Sequence, residues 1–282
     1  MRLFVTGSNG YIGRNFIKKA AKKNYKIYAV TRKKKNKKIK NVKWLVGSID
    51  KKWNELKKTD ILVHFATVGA YKKTINLKET YDFNVEKSTN LILNALQFNC
   101  KKWLIISTNK EEKISRLIKS KKNIRLKANE PHLNYALTKY IFSKICKDLS
   151  KIFNVKCRIL KLFHIYGGDE VDTRLWPLLN NYSKKNKNLK MTSGHQIYDF
   201  NHIDDVTDGI IDCTNFQKKN KKFPQEWDLA SGIGMSVRKF ASKVWKKNKA
   251  ESKILFSKIK NFDKDNYLTN KKELWKIKHR KP

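Results

Sequence analysis

The sequence predicts an α/β fold in which a doubly wound parallel sheet is covered by helices. Two observations carry this prediction. Short and almost continuous apolar runs recur along the first half of the chain, with segments of helical period between them. A glycine-rich turn also follows the first apolar run directly and leads into the first helical segment. Strands that alternate with helices in this order are typical of a parallel sheet.

Each predicted strand is an apolar run of strand length, and the runs lie at residues 3–5, 26–31, 42–46, 60–66, 102–107 and 156–163. The helical patterns between them cover about residues 11–23, 84–99 and 134–153. The lysine-rich stretch 32–40 is expected to be a loop after the second strand. Residues 1–163 are therefore expected to form one domain.

The regular alternation of apolar runs and helical patterns ends at about residue 163. Residues 164–200 carry turn-forming glycines and a Trp-Pro pair, and we expect them to be irregular. A helix is expected from about Asp204, a strand at 227–230, and a helix capped by Ser236 that ends at about residue 247. Residues 164–282 are interpreted mainly as a smaller C-terminal lobe, with residues 200–230 returning to the first domain.

The glycine turn has the sequence Thr-Gly-Ser-Asn-Gly-Tyr-Ile-Gly, with glycines at positions 7, 10 and 13. Gly7 lets the chain turn, Gly10 has no side chain to obstruct a phosphate, and Gly13 lets the helix approach the sheet. The helix N-terminus could then face a pyrophosphate. The pattern predicts a dinucleotide site of the Rossmann type, and a generic glycine-rich turn is the alternative.

The formal net charge is +41, which by itself raises the question of a nucleic-acid partner. Of the 65 basic residues 56 are lysines, however, and they are spread along the whole chain. Arginine, the usual base-reading residue, is scarce. We therefore favour a solvated lysine surface without a specific nucleic-acid partner, although weak polyanion binding at low salt is expected.

The four cysteines, Cys100, Cys146, Cys157 and Cys213, are scattered without metal-type spacing, so no metal site is predicted. They are interpreted as reduced thiols. The N-terminus enters a strand without a signal peptide, and no apolar stretch reaches membrane-spanning length. The expectation is a cytoplasmic protein without membrane insertion.

Tyr135 and Lys139 are four residues apart, which places both on one face of a helix. An ammonium group near a phenol lowers the phenol pKa and makes it usable as an acid or base near neutrality. In a lysine-rich chain such pairs are frequent by chance, and the spacing alone would favour a solvated helix face. The order of features decides between these readings, because the glycine turn and a hydroxyl-rich strand end at Ser107-Thr108 precede the pair.

These motifs, in this order, resemble the extended short-chain dehydrogenase/reductase family. The resemblance rests on the glycine turn, on the Tyr-x-x-x-Lys pair, and on the segments His-Phe-Ala-Thr (64–67) and Ile-Ser-Thr (106–108). Later segments at 162–167, 192–206 and 228–237 are similar to the nucleotide-sugar epimerase/dehydratase branch of that family. The likeness covers nearly the whole chain.

The resemblance implies a catalytic set of Thr108, Tyr135 and Lys139. Tyr135 would be the general acid that protonates a keto oxygen, or the base of the reverse step. Lys139 would hold the nicotinamide ribose and lower the pKa of Tyr135. Thr108 would donate a hydrogen bond to the reacting oxygen.

The resemblance also implies the residues that contact the cofactor. Beside the glycines, Tyr11 and Ile12 would lend backbone N–H groups to the pyrophosphate. Ala66 and Thr67 would line the path toward the ribose, and Phe163 would lie near the nicotinamide.

Members of the family that prefer NAD usually have an acidic residue at the end of the second strand. Here Thr31 stands at that position, followed by Arg32 and Lys33. A guanidinium group binds a 2′-phosphate that a carboxylate would repel. We therefore predict that NADP(H) is favoured over NAD, with Thr31 and Arg32 as the discriminating residues. The alternative is that Arg32 merely belongs to the general excess of basic residues.

Three further departures from the family pattern concern the substrate. Asn109-Lys110 replaces the Asp-Glu pair of the dehydratases, which disfavours dehydration, and also the cysteine of the combined epimerase-reductases. His164 would lie at the rim of the sugar pocket, with a structural histidine as an equal alternative. Tyr198 replaces an arginine that often helps bind the diphosphate, and Arg174, Lys187 or Lys190 could take its place.

The leading hypothesis is an NADPH-dependent reductase of a nucleotide-activated 4-keto-6-deoxy sugar. Segments 64–71 and 134–144 are similar to reductases of the CDP-abequose synthase type. One alternative is a nucleotide-sugar 4-epimerase that retains NAD, and another is a non-catalytic cofactor- or polyanion-binding protein. The resemblance also implies surface-polysaccharide biosynthesis and a homodimer through the helices at 84–99 and 134–153, although a buried intrachain face would explain their apolar residues as well.

Overall fold

The computed structural model describes residues 1–33, 36–70, 76–120, 131–219, 222–257, 268–269 and 273–282. These residues form two compact units. The first consists of Met1–Lys161 and Ile210–Trp227, and the second of Leu162–Gly209 and Asp228–Pro282.

The first unit is built on a parallel sheet. Its strands are β1 (Arg2–Thr6), β2 (Lys26–Thr31), β3 (Val42–Val46), β4 (Ile61–His64), β5 (Lys102–Thr108) and β6 (Lys156–Leu162). They lie in the order β6-β5-β4-β1-β2-β3. The pairs β1–β2, β2–β3, β1–β4 and β4–β5 are parallel. The predicted doubly wound sheet is confirmed, and the chain reverses its direction of winding at β1, where a crevice for ligands forms in such sheets.

Helical segments alternate with these strands along the chain. They are α1 (Tyr11–Lys22), a 3-10 turn (Asn54–Lys58), α2 (Leu77–Tyr81), a π-helical segment (Asp82–Lys87), α3 (Ser88–Gln97), α4 (Glu111–Lys119) and α5 (Pro131–Ile152). Neither α2 nor α4 was predicted from the sequence, because α2 has only five residues and α4, in EEKISRLIK, is mostly charged. The described residues of the lysine-rich stretch, 32–33 and 36–40, form neither helix nor strand, and residues 34–35 lie outside the described part.

Large side chains fill the core of the first unit. Phe4, Leu62, Trp103 and Phe142 are fully buried there. Burial of such a side chain contributes about 1.5–3 kcal/mol each. The indole Nε1 of Trp103 donates a 2.7 Å hydrogen bond to the carbonyl oxygen of Cys100, so its polar atom is satisfied in the core.

Arg158 of β6 is buried and joins two distant parts of the first unit. Its Nη1 donates to the carbonyl oxygens of Cys213 and Asn215 at 2.7 and 3.1 Å, and its Nη2 to that of Lys218 at 3.0 Å. Its Nε donates to Oε1 of Gln225 at 2.9 Å. These bonds compensate the buried charge and hold the returning segment 210–227 against β6.

The second unit contains more regular structure than expected. Its elements include β7 (His164–Tyr166), α6 (Leu175–Lys184), β8 (Leu189–Met191) and β9 (Ile197–His202). The prediction that residues 164–200 are irregular is therefore wrong. Two of these strands have only three residues, which is too short for a periodic pattern to be visible.

The remaining elements are α7 (Ile203–Asp212), β10 (Gln225–Ala230), β11 (Gly234–Ser236), α8 (Val237–Lys247), β12 (Ile254–Phe256) and β13 (Leu274–Lys276). In the second unit β11, β9 and β7 form one sheet, β12 pairs with β8, and residues 228–230 of β10 pair with β13 in parallel. The predicted cap of α8 is confirmed, since Oγ of Ser236 accepts a 3.2 Å hydrogen bond from the backbone N of Lys239. Phe200 and Phe240 stack in the core with ring centroids 4.0 Å apart.

All four cysteines are free thiols and buried. In the described part of the chain, no helix combines the length and apolar character needed to span a membrane.

Candidate cofactor and catalytic site

The glycine turn connects β1 to α1 in very little space. Gly7 has a positive φ of 70°, and a Cβ atom added there would lie 2.6 Å from the backbone N of Ala66. A Cβ atom at Gly13 would lie 2.3 Å from the carbonyl oxygen of Gly7. The backbone N of Gly10 donates a 2.9 Å hydrogen bond to that same oxygen. Two of the three glycines are thus required by close backbone packing, and Gly10, with its nearest such contact at 3.1 Å, is not.

The N-terminus of α1 has the character of an anion site. Gly10 is its N-cap and can supply no capping oxygen, and its first turn contains no acidic residue. The partial positive charge of the helix end is therefore not balanced from within the helix. Tyr11 is buried and Ile12 half-buried at the start of this helix. This cradle fits the pyrophosphate of a dinucleotide.

The end of β2 is held by a network of hydrogen bonds around Thr31. Its buried Oγ1 accepts from Nδ2 of Asn9 at 2.6 Å and from the backbone N of Lys33 at 3.0 Å. Nδ2 of Asn9 also donates to Oδ1 of Asn36 at 3.0 Å. Arg32 is exposed beside this network. Neither Asn9 nor Asn36 was predicted from the sequence, because the glycine pattern accepts any residue at position 9 and Asn36 lies in a lysine-rich stretch.

Asn84 organises the loop after β4. Its Oδ1 accepts from the backbone N of Val68 at 2.9 Å and from Oγ1 of Thr67 at 3.0 Å. Its Nδ2 donates to the carbonyl oxygen of Val68 at 3.0 Å and to Oγ1 of Thr138 at 3.1 Å. Ala66, at the start of this loop, is buried. Asn84 was not predicted from the sequence, because no local motif marks it; it lies in the π-helical segment, a distortion that is frequent at functional sites.

Lys139 is a buried lysine on α5. Its side chain is only 2% exposed, and Nζ donates a 2.7 Å hydrogen bond to the carbonyl oxygen of Ile106. Burial lowers the pKa of Lys139 to about 8. The interpretation of Tyr135 and Lys139 as a solvated helix face is therefore wrong for Lys139, and Tyr135 is half-buried one turn earlier.

Thr108 is the last residue of β5 and is buried. Its Oγ1 lies 3.4 Å from both Oδ1 of Asn109 and the backbone N of Lys110, which are weak contacts. The Lys139–Ile106 hydrogen bond brings α5 to within two residues of Thr108. The elements that carry the three predicted catalytic residues are thus joined directly.

Glu111 is the acidic residue that follows Thr108 most closely, and it points into the protein. Its Oε1 accepts hydrogen bonds from Oγ of Ser107 and, at 2.7 Å, from Oγ of Ser143. Burial raises the pKa of Glu111. Bonded in this way, the carboxylate cannot serve as the exposed acid or base that a dehydratase carries after its catalytic threonine.

His64, in the His-Phe-Ala-Thr segment, is buried next to the glycine turn. Its Nδ1 lies 2.8 Å from Oγ1 of Thr6, and its ring centroid is 5.3 Å from that of Phe142. Burial and the charge of Lys139 lower the pKa of His64 to about 3, so the ring is neutral. It acts as a structural link between β1 and β4. Tyr71, which ends the segment 64–71, lies outside the described residues.

In the second unit, the structure brings His164 and Tyr198 together. Their rings stack with centroids 5.3 Å apart and planes inclined by 4°. Phe200 meets the His164 ring edge-on at 4.9 Å. Arg174, at the N-cap of α6, pairs with Glu170 at 3.2 Å. Phe163 is buried immediately before β7.

Residues 3–223 match the model of the NAD dependent epimerase/dehydratase family. The chain belongs to this family. The match includes the glycine turn, Thr108, Tyr135 and Lys139, and it agrees with the observed dinucleotide-type fold. The protein is therefore an NAD-dependent enzyme of the epimerase/dehydratase family.

The proteins to which this chain is similar include enzymes named for nucleotide sugars. The chain is 25% identical over 246 residues to a CDP-abequose synthase of Salmonella typhimurium strain LT2, which covers 84% of this chain and 78% of that protein. It shares the fold of UDP-glucose 4-epimerase from Thermotoga maritima, with a TM-score of 0.75, 15% identity and coverage of 96% and 90%. A variant of UDP-glucuronic acid 4-epimerase from Bacillus cereus, solved with a UDP-sugar analogue and NAD, has a TM-score of 0.73, 17% identity and coverage of 91% and 86%.

Proposed function

We propose that this protein is an NADPH-dependent reductase of a nucleotide-activated 4-keto-6-deoxy sugar. The observation that carries the proposal is the buried Lys139, fixed to Ile106 at the end of β5 and one helical turn from Tyr135. The likeness to a CDP-abequose synthase over 84% of the chain supports a reductase within the family. Synthesis of a surface-polysaccharide sugar is the corresponding biological role.

The bound dinucleotide supplies the hydride. Tyr135 gives its phenolic proton to the carbonyl oxygen, and Thr108 donates a hydrogen bond to the same oxygen. The ammonium of Lys139 stabilises the phenolate that remains and holds the ribose. With a pKa of about 8, Lys139 is mostly protonated at neutral pH and can do both.

The acidic residues near the site favour reduction over dehydration. A dehydratase needs an acid and a base placed to remove water from the sugar. Asn109 and Lys110 provide neither carboxylate, and Glu111 is committed to Ser107 and Ser143. Reduction needs a hydride, which the dinucleotide would supply, and a single proton, which Tyr135 would supply, so no further acid or base is required.

The preference for NADP(H) rests on the end of β2. Thr31 offers a hydroxyl where an NAD-specific site offers a carboxylate. The exposed Arg32 follows it and can pair with a 2′-phosphate. NAD remains the second candidate cofactor, since the B. cereus structure of the same fold contains it.

Three residues of the second unit are proposed to contact the nucleotide sugar: His164, Tyr198 and Arg174. The stacked rings of His164 and Tyr198 offer a flat surface with polar edges, which suits a base or a sugar. Arg174 would reach the diphosphate only by exchanging its pairing with Glu170. Phe163 is proposed to contact the nicotinamide. We therefore propose that residues 1–163 bind the cofactor and that residues 164–282 mainly bind the substrate.

We further propose a cytoplasmic homodimer. The apolar residues first considered for its interface include Leu91, Ile92 and Phe142, but these are fully buried in the core of the first unit. Within the two predicted segments the exposed large apolar side chains are Leu93, Ile152 and Phe153, and Leu77 and Tyr81 of α2, just before the first segment, are exposed as well. These are the proposed interface residues, and light scattering of the purified protein would test the dimer.

The second candidate function is a nucleotide-sugar 4-epimerase, which the similar fold of the T. maritima enzyme favours. An epimerase uses the same three catalytic residues but returns the hydride to the substrate. The deciding experiment identifies any co-purified dinucleotide, titrates NADPH and NADH at moderate salt, and tests 4-keto-6-deoxy sugars on CDP, UDP and dTDP. Stoichiometric oxidation of NADPH supports the reductase. Retained NAD and turnover without added cofactor support the epimerase, and binding of neither cofactor contradicts both.

A further inference from the structure

Asn9 lies in the glycine turn, and its half-buried side chain reaches the end of β2. Its Nδ2 uses both of its hydrogens, because it donates to Oγ1 of Thr31 at 2.6 Å and to Oδ1 of Asn36 at 3.0 Å. In a dinucleotide site of this fold, the turn faces the pyrophosphate and the end of the second strand faces the ribose of the adenosine. One side chain therefore connects the two places that such a cofactor occupies.

The turn itself holds Asn9 in place from both sides. Before it, the buried hydroxyl of Ser8 donates a 2.9 Å hydrogen bond to the carbonyl oxygen of Val5. After it, the backbone N of Gly10 donates a 2.9 Å hydrogen bond to the carbonyl oxygen of Gly7. The contact between Asn9 and the end of β2 thus starts from a fixed stretch of backbone.

The hydroxyl of Thr31 is left with one function toward a ligand. A hydroxyl oxygen can accept two hydrogen bonds and donate one. Oγ1 of Thr31 already accepts from Nδ2 of Asn9 and, at 3.0 Å, from the backbone N of Lys33. Within the part of the chain that the structure describes, no atom accepts its proton. This hydroxyl is therefore ready to donate to an acceptor on a bound molecule.

The same network fixes the backbone on the far side of Arg32. The backbone N of Lys33 is held by Thr31, and the carbonyl oxygen of Lys33 accepts a 2.8 Å hydrogen bond from Nδ2 of Asn36. Asn36 is in turn held by Asn9. The exposed Arg32 thus lies between two anchored residues, next to the Thr31 hydroxyl.

The groups at this corner of the site are neutral or positive. Asn9 and Thr31 carry no charge, and Arg32 and Lys33 follow them. A donor hydroxyl beside a guanidinium group suits an anionic acceptor, and a phosphate on the 2′ oxygen of the ribose is such a group. A carboxylate at position 9 would have the opposite effect, because it would take the Thr31 proton itself and repel a phosphate.

We propose that Asn9 is a specificity-determining residue of the dinucleotide site. Its amide directs the Thr31 hydroxyl to donate to a 2′-phosphate and, through Asn36, fixes the backbone beside Arg32. This inference rests on the proposed use of NADP(H) and deepens it, since it assigns the choice between the two cofactors to a residue of the glycine turn.

The test is a fluorescence titration of NADPH and NADH with the full-length wild type and Asn9→Asp. The substitution keeps the shape of the side chain but replaces its donor by a charged acceptor. We expect the ratio of Kd for NADH to Kd for NADPH to fall by about tenfold or more. NADH binding should be kept, because its 2′-hydroxyl can donate to a carboxylate. An unchanged ratio would overturn the proposal.

The ratio is a readout that a general loss of structure does not move, because the two cofactors differ only at the 2′ position. The matched control is Asn15→Asp, the same substitution at a half-buried asparagine of α1. The side chain of Asn15 donates to the carbonyl oxygen of Tyr11 at 2.8 Å, so this variant should leave the ratio unchanged. An equal fall in Asn15→Asp would overturn the proposal, since any added charge would then suffice.

Asn9→Ala removes the hydrogen bonds without adding a charge. It should lower the ratio by about twofold to tenfold, the range expected for a lost neutral hydrogen bond. If Asn9→Asp does not fold, Asn9→Ala decides alone. A wild-type ratio in Asn9→Ala would overturn the positioning of Thr31 by Asn9.

A second readout does not depend on cofactor binding. Urea unfolding of wild type, Asn9→Ala, Thr31→Val and the double variant forms a cycle. The double variant should be less destabilised than the sum of the single effects, because either change already removes the shared hydrogen bond. Additive effects would overturn the proposal. Wild-type protein that binds neither dinucleotide, or NADH alone, contradicts the proposed NADPH-dependent function. Binding of both with an unmoved ratio in Asn9→Asp contradicts only the role of Asn9.

Discussion

Nζ of Lys139 lies 2.7 Å from the carbonyl oxygen of Ile106, at a depth where its side chain is almost completely removed from water. Its pKa is about 8 in the folded protein, against a usual value of 10.5. Between these two pH values the unfolded chain binds the proton and the folded chain does not. The contribution of Lys139 to folding stability therefore rises as the pH increases through this window.

This predicts a specific difference between wild type and Lys139→Met. The free energy of unfolding in urea, measured at about pH 7 and about pH 10, should change in favour of the wild type at the higher pH. Other lysines and tyrosines titrate equally in both proteins and cancel in the difference. A difference that does not depend on pH would contradict the assigned burial of the ammonium.

Tyr135→Phe should lower kcat by about 10²–10⁴-fold, because it removes the proton that the carbonyl oxygen receives. The Kd of NADPH should change little, since the proposed role of the phenol is to protonate the substrate and not to bind the cofactor. The matched control is Tyr140→Phe, a half-buried tyrosine further along α5. Wild-type kcat in Tyr135→Phe would rule out Tyr135 as the general acid.

The glycines of the turn should respond differently to alanine. Gly10→Ala places its Cβ 3.1 Å from the nearest atom, so the protein should fold. It should lose dinucleotide affinity, because the added methyl group would obstruct the phosphates in the proposed cradle. Gly13→Ala places its Cβ 2.3 Å from the oxygen of Gly7, so it should lower the thermal midpoint as well. Calorimetry and fluorescence titration distinguish the two effects. Unchanged NADPH binding in Gly10→Ala would argue against the cradle.

Arg32→Ala should weaken NADPH by about tenfold and NADH much less, because only NADPH has the phosphate that a charge-assisted hydrogen bond would hold. Lys37→Ala removes another exposed charge from the same stretch and is the control for general electrostatic attraction. Equal losses for the two cofactors in Arg32→Ala would show that Arg32 does not discriminate between them.

Much of the first unit could be predicted from the sequence, because its strands are long enough to show a pattern. Runs such as 26–31 and 102–107 are continuous apolar segments, and both are strands within a residue of the predicted bounds. The second unit could not be predicted to the same extent. Strands such as Leu189–Met191 have three residues, and long-range pairing rather than local preference makes them extended.

The residues of the candidate site also differ in how far the sequence predicts them. Glycine spacing and the Tyr-x-x-x-Lys pattern are local, so Gly7, Gly13, Tyr135 and Lys139 could be singled out in advance. The roles of Asn84 and Glu111 depend on partners 54 and 32 residues away in the sequence, respectively. Nothing in the neighbouring residues marks either side chain as buried and fully engaged.

The hydrogen bonds of Arg158 have a consequence for biosynthesis. Its partners, Cys213, Asn215, Lys218 and Gln225, are translated 55 to 67 residues later. As the chain leaves the ribosome, strands β1 to β6 can assemble first. The guanidinium group of Arg158 stays hydrated until residues 213–225, which supply its acceptors, have been synthesised. The first unit therefore closes only after Leu162–Gly209 of the second has been synthesised, so that its folding is completed late on the nascent chain.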